Sequence, residues 1–450
     1  MFSGPGYDRT VDSAAARWAI ALAVLGGATL RVAFLGADSF WLDEANSVVI
    51  ATSQPVSELW AHADPRHPPL YYIILKGVVQ IAGQSEWAAR GLSAAASLGN
   101  LALIYVLARR GWLSPRVSLL AVALLAVSPV DIWQAREARM YELAATACLV
   151  MAIGLTADSW LGVLVTAAGA ALAIHLDYTT IPVVALLVGL WWARWWRTSR
   201  ETSGIARLGV SLALLAVLVL PLWNQLRDLA SLVDGATVFT NIKRAVGSFV
   251  LTPQVVLAGL VLEVIAAALA GIMLSRMQKS AVGRVAIGAF VVANAVLALP
   301  RGYTAKQVVV TVWPVVALFT AWLLGSRTRL ASAVVGVSLV FSLASLTTHR
   351  ADWRGVVQYL NREAQPGSVV VVDPSWNSIV YDYYEPVHAS TPAAGDGTAA
   401  AAAGQDIWLI AERYGQPVPT SASEAWLDQR RRLVDVIPFS RLEVRHYRLR

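Results

Sequence analysis

At 450 residues, 57% of them hydrophobic and only 14% charged, the chain lacks the polar surface of a soluble globule. Its mean hydropathy of +0.56 makes an integral membrane protein the default class. The formal charge of +7 is spread over short loops rather than gathered on one basic face, which argues against nucleic acid and fits the Lys/Arg bias that orients membrane proteins.

Residues 1 to 16 are polar and small, and the first apolar run, 18–35, is too long for a signal-peptide core and lacks a small-residue cleavage pattern. It reads as an uncleaved helix. Just past it lies Phe40-Trp41-Leu42-Asp43-Glu44-Ala45-Asn46-Ser47, which has two readings. Adjacent acids at the mouth of a span are costly to desolvate and point to a functional site. They can also simply open a short helix, where acids cap the N-terminus and answer its dipole.

The next apolar stretch, His67-Pro68-Pro69-Leu70-Tyr71-Tyr72 onward, is short for a span and suits a helix lying in the membrane interface. A clear span at 87–108 leads to the basic loop Arg109 to Arg116, which an even number of crossings places on the same side as the amino terminus. Further spans read near 117–129, 140–157, 160–176, 181–194, 206–222, 253–274, 285–299, 307–324 and 330–346, with Cys148 an inert packing residue inside one of them. The expected fold is a polytopic α-helical membrane domain over residues 1–348. It has about eleven transmembrane helices, interfacial helices in its first outer loop and a cytoplasmic amino terminus.

From His349 the texture changes. Trp353 to Glu363 reads as an amphipathic helix, Gly367 to Asp373 and Asp406 to Glu412 as strands, Glu424 to Arg432 as a helix, and a strand pair closes the chain. Residues 349–450 therefore read as a small α/β domain outside the cytoplasm. The segment Trp223 to Thr252 reads as a long outer loop of mixed charge, the sort that orders over a substrate.

On this topology the outer face collects Asp43, Glu44 and His67, then Asp131, Arg136, Glu137 and Arg139, then His175, Asp177 and Tyr178, with Lys243, Arg244 and Arg301 in later loops. Outer arginines run against the positive-inside trend and suit an anionic ligand. Carboxylates and arginines on one face fit a transferase acting on a lipid-linked phosphate. One acid would take the proton of an attacking hydroxyl while guanidinium groups hold the departing phosphate. Asp43, Glu44, Glu137 and His175 offer donors that could hold a divalent cation, but nothing in their spacing demands a metal or cofactor.

The motif order carries a resemblance. Trp-Leu-Asp-Glu-Ala, His-Pro-Pro-Leu-Tyr-Tyr, Ser-Glu-Trp-Ala-Ala-Arg-Gly-Leu-Ser and Ser-Pro-Val-Asp-Ile-Trp-Gln-Ala-Arg-Glu-Ala-Arg-Met-Tyr together resemble the bacterial GT-C glycosyltransferases. Those enzymes are similar to protein O-mannosyltransferases and to the lipid A aminoarabinose transferase. His175-Leu176-Asp177-Tyr178 and Pro300-Arg301-Gly302-Tyr303 resemble two later elements more loosely, and Arg136 and Asp177 depart from the family pattern.

The resemblance implies a membrane-bound inverting glycosyltransferase of the bacterial cytoplasmic membrane. Its donor would be a polyprenyl-phosphate-linked sugar and its acceptor a cell-envelope glycan, lipid or protein on the outer face. Asp43 would be the base with Glu44 beside it. Donor and acceptor contacts would come from His67, Tyr71, Arg136, Glu137, Arg139, His175, Tyr178, Lys243, Arg244 and Arg301. The rival class is a transporter or flippase of a lipid-linked sugar. Transporters bury ionisable groups near the midplane of repeated halves, and this chain shows no internal repeat.

Overall fold

The computed structural model describes residues 14–61, 67–110, 114–198, 202–231, 328–346, 350–385, 391–392, 406–413 and 421–449, with scattered positions between 313 and 324. The spans read at 253–274 and 285–299, most of 307–324, and the candidates Lys243, Arg244 and Arg301 lie outside the described residues. The chain divides into two compact units. One is drawn from Met1–Ala33, Val56–Ile74 and Gly91–Ser345, the other from Phe34–Pro55, Leu75–Arg90 and Leu346–Arg450.

The first unit is helical. It includes α1 (Ala14–Val32), α3 (Val56–Ala61), α6 (Pro115–Ala126), α7 (Pro129–Ala135), α8 (Tyr141–Leu155), α9 (Trp160–Leu176), α10 (Ile181–Thr198), α11 (Thr202–Val219), α12 (Trp223–Ser231) and α13 (Thr328–Leu346). Helices α4 (Leu70–Ala82) and α5 (Glu86–Arg109) each contribute residues to both units. Among the described residues, Glu86–Arg109 and Thr202–Asp228 are long and apolar enough to cross a membrane, with hydropathies of 1.6 and 2.3. Helices α6 and α7 pass that test as a pair bent by 56°. Trp223–Ser231, expected to begin a loop, instead continues as helix.

Local chemistry explains these boundaries. Ser114, Ser128 and Ser159 each accept a backbone N–H at the start of α6, α7 and α9, and Pro115 and Pro129 occupy the first turn, where no N–H is needed. Small residues then let backbones approach. A Cβ on Gly169 would lie 2.6 Å from the Met151 nitrogen, one on Gly154 2.6 Å from the Thr166 nitrogen, and one on Gly27 2.8 Å from the Ala126 Cβ. Close contact of this kind replaces the hydrophobic drive that lipid removes. Leu101, Ile104, Ala121, Val122 and Leu125 form a core on α5 and α6.

The second unit combines α2 (Leu42–Ser53), parts of α4 and α5, and an α/β domain. That domain contains α14 (Trp353–Glu363), β1 (Val369–Asp373), α15 (Ser378–Tyr384), β2 (Thr391–Pro392), β3 (Ile407–Glu412), α16 (Ala422–Arg430), β4 (Arg432–Phe439) and β5 (Leu442–Arg448). The sheet order is β2-β1-β3-β5-β4, with β1 parallel to β2 and β3, and β5 antiparallel to β3 and β4. Strand β1 is a run of valines because both its faces are covered. Trp353, Val356, Val357 and Leu360 recur at helical spacing and are the buried stripe of α14. Helix α15 and strand β2 had no clear signature in the sequence.

Two predictions follow from this packing. Gly169→Ala should destabilise the detergent-purified protein by about 1–3 kcal/mol, because the new methyl meets backbone that cannot move aside; thermal unfolding measures this. In the α/β domain, partial burial works against ionisation of Asp406 and Glu443. Hydrogen bonds outweigh it, from His446 and Arg448 on Asp406 and from Arg413 and Arg445 on Glu443, and both carboxyl groups are held below their usual pKa. Groups depressed in the folded state stabilise it above their unfolded pKa of about 4 and lose that contribution as the pH falls through the folded value. The domain's near-ultraviolet circular dichroism should therefore fade only at acid pH, and Glu443→Gln should flatten the dependence.

Candidate functional site

In the second unit the Asp43–Glu44 pair forms the first turn of α2, so the helix-opening reading is correct as far as it goes. The two acids differ in environment. Glu44 is fully buried and Asp43 half-buried. Successive helical residues point about 100° apart, so one can face the interior while its neighbour does not. Arg90 donates to both Glu44 oxygens, Nε to Oε1 at 2.8 Å and Nη2 to Oε2 at 2.7 Å, a bidentate fork. Arg350 adds Nη1 to Oε2 at 2.7 Å, and the Trp41 N–H donates to the same oxygen at 3.3 Å.

The rest of the Arg90 guanidinium is used on backbone, with bonds to the carbonyls of Leu35, Asp38 and Ser39. A buried ion pair is tolerable only when its remaining donors find partners, and here they do. Phe40, also fully buried, lies beneath the Arg90 guanidinium at 5.3 Å and meets the Tyr383 ring edge-on at 5.3 Å.

In the first unit the loop between α7 and α8 is held on several sides. Arg31 and Asp131 form a buried ion pair at 2.5 Å, and Ser97 accepts from Arg31 Nε and donates to Asp131, each at 2.7 Å. Asp131 is thus a buried anchor within this unit. Asn100 donates to Glu142 at 3.0 Å at the start of α8. Between these anchors, Glu137 and Arg139 are buried and the Arg139 carbonyl accepts from Ser93 at 2.9 Å. Arg136 donates from Nη1 to the Leu30 and Ala33 carbonyls, satisfying the end of α1.

The remaining described candidates also lie in this unit. His67 is half-buried ahead of the buried Pro68 and Pro69, and Tyr71 is fully buried in α4. His175 stacks on Trp60 with ring centroids 6.2 Å apart, its Nδ1 2.8 Å from the Ala171 carbonyl. Tyr178 is fully buried in a single 3-10 turn, and its hydroxyl has no hydrogen-bond partner among the described residues. Burial raises the Tyr178 pKa, so the group is a protonated donor. Asp177 caps that turn by accepting the Thr179 N–H at 2.9 Å. Burial pushes its pKa up, against that hydrogen bond and the charge of Arg139. Among the described residues no group of three or more acids, histidines or cysteines could hold a metal ion.

Sequence reasoning passed over Arg31, Arg90 and Arg350. Arg90 was visible inside Ser-Glu-Trp-Ala-Ala-Arg, but nothing in the sequence identified Glu44 as its partner 46 residues away. For Arg350, 306 residues from Glu44, there was no local signal at all.

Residues 66–223 match the family model described as dolichyl-phosphate-mannose-protein mannosyltransferase. The chain resembles the crystal structure of ArnT from Cupriavidus metallidurans in the apo state, with a TM-score of 0.58 at 15% identity, covering 96% of this chain and 98% of that one. The ArnT structure bound to undecaprenyl phosphate matches equally, at 0.58 and 14% identity with the same coverage. An Archaeoglobus fulgidus oligosaccharyltransferase tethered to an acceptor peptide matches at 0.50 and 10% identity, over 90% of this chain and 70% of that one. No curated protein matches the sequence. The resemblance to GT-C glycosyltransferases thus stands on a family model and on a fold, besides the motifs.

Because both oxygens of Glu44 are engaged by cations, Glu44→Gln should destabilise the protein by about 3–5 kcal/mol, the cost of leaving buried charge uncompensated. Asp43→Asn should cost less, about 0.3–1 kcal/mol, for the acid lost from the first turn of α2. Thermal unfolding of the two variants side by side checks the contrast.

Proposed function

We propose that this protein is an inverting glycosyltransferase of the GT-C type, moving a sugar from a polyprenyl-phosphate donor to an acceptor on the outer face of a bacterial cytoplasmic membrane. The observation that carries the reading is the asymmetry of the acid pair. Glu44 is consumed by Arg90 and Arg350, while Asp43 stands half-buried on the same helical turn. Asp43 is then the base, and Glu44 fixes the turn that presents it.

In this scheme an acceptor hydroxyl attacks the anomeric carbon from the face opposite the phosphate. Its proton passes to the Asp43 carboxylate as the carbon–oxygen bond to phosphate breaks, and polyprenyl phosphate leaves with one more negative charge. That developing charge is what cationic donors must stabilise. Arg139, Lys243, Arg244 and Arg301 serve the donor phosphate, Arg136, bonded to the end of α1, holds their loop, and His67, Tyr71, Glu137, His175 and Tyr178 serve donor or acceptor recognition. Residues 1–348 form the transmembrane part, with about eleven spans and the amino terminus in the cytoplasm, and residues 349–450 form the extracytoplasmic domain. Support comes from the matched mannosyltransferase segment and from ArnT, whose structure was determined with undecaprenyl phosphate.

The test is transfer from a panel of polyprenyl-phosphate sugars by protein in lipid nanodiscs, wild type beside Asp43→Asn. Wild type should transfer at least one sugar, and the Asn variant should lose about 10²–10⁴ in kcat while still binding donor. Full activity in the variant removes Asp43 as base. Movement of intact donor across the bilayer without transfer would mean a flippase.

A further inference from the structure

From the contacts in the second unit we infer that Arg350 and Tyr384, supplied by the C-terminal α/β domain and its lead-in, are positioning residues for the Asp43 turn. The domain is on this view part of the catalytic machinery rather than an appended acceptor platform. The inference rests on the reading of Asp43 as base.

Three sets of contacts carry it. Arg350 immediately precedes the domain and supplies the second cation on the buried Glu44 carboxylate, at 2.7 Å. Tyr384, the last residue of α15, bridges two chain segments. Its oxygen accepts the Phe40 N–H at 2.7 Å, and its hydroxyl donates to Glu86 Oε1 at 2.6 Å. Burial, reinforced by the hydrogen bond to Glu86, raises the Tyr384 pKa and keeps that donor protonated.

Arg354 completes the set. Its backbone N–H donates to Ser39 Oγ at 3.1 Å, its Nη2 to the carbonyls of Gly36 and Ala37, and its Nε lies 3.3 Å from Glu86. The segment Gly36 to Phe40, which feeds directly into α2, is therefore tied at successive residues to the domain. Arg90 grips both Glu44 oxygens from the α5 side, and the Trp41 N–H reaches Oε2 from within α2. Arg350 adds a second cation from another segment, and the Phe40 anchor fixes where the helix starts. Displacement of a catalytic group by 1 Å can cost on the order of a hundredfold in rate, so these ties bear on kcat rather than on binding.

The experiment uses the full-length protein in nanodiscs with the donor that wild type transfers, comparing Arg350→Ala, Arg350→Lys and Tyr384→Phe. Expected is a fall in kcat of roughly tenfold to a hundredfold for Arg350→Ala and a smaller fall for Tyr384→Phe, with donor KM within about twofold. Arg350→Lys, which keeps the charge, should recover most of the rate. Thermal midpoints are read on the same samples. A fall in kcat that tracks loss of folded protein, or a Lys variant no better than Ala, would assign Arg350 a merely structural role and overturn the inference. Unchanged kcat in all three variants would do the same. Absence of transfer by wild type across the donor panel is a different result, since it removes the glycosyltransferase reading itself.

Discussion

Glu44 is a carboxylate taken entirely out of water, and the second unit is arranged around the cost of doing so. An isolated ionised acid in such a place would neutralise rather than remain charged, so its burial requires cations with their own donors satisfied. Arg90 meets that need with a fork to both oxygens and three bonds to backbone carbonyls, and Arg350 with a further contact. Because those two arginines stand far apart in the sequence, satisfying one side chain draws the entry to α2, the start of α5 and the approach to the α/β domain into one unit. Asp43, on the same turn, is held in place along with its neighbour.

The first unit solves a similar problem with a different set. Arg31 and Asp131 neutralise one another, Ser97 bridges them, and spare Arg31 donors reach the Gly27, Leu125 and Ala126 carbonyls. With Asn100 holding Glu142 on the other side, the stretch from Arg136 to Met140 is suspended between anchored helix ends. Its residues are buried or half-buried, and Arg136 is occupied as the cap of α1.

Much of the architecture was legible in the chain because it depends on composition and local period. Apolar runs marked α5, α8 and α9, and the shift of texture after His349 marked the α/β domain with β1, β3, α14 and the closing strand pair. Each of these is set by which residues tolerate lipid, a pleated sheet or a helical stripe, and such preferences act within about ten neighbours. Helix α15 and strand β2 escaped notice because Ser378 to Tyr384 has no apolar period and two residues are too few to show one. The charge of the segment from Trp223 reads as a loop, yet the helix continues to Ser231.

For the candidate site, the sequence alone supplied the motif order from Trp41 to Tyr141, which singles out Asp43, Glu44, Glu137 and Arg139 as expected site residues and suggests a chemistry for them. It could not divide the labour between two adjacent acids, since residues one apart share every local feature. Tertiary structure separates their environments, because burial is a property of what packs against a side chain. Glu44 turns toward arginines 46 and 306 residues away and is fully buried, while Asp43, about 100° around the helix, is half-buried. Only folding brings such partners together, so an ion pair of that range leaves no trace in the residues beside it.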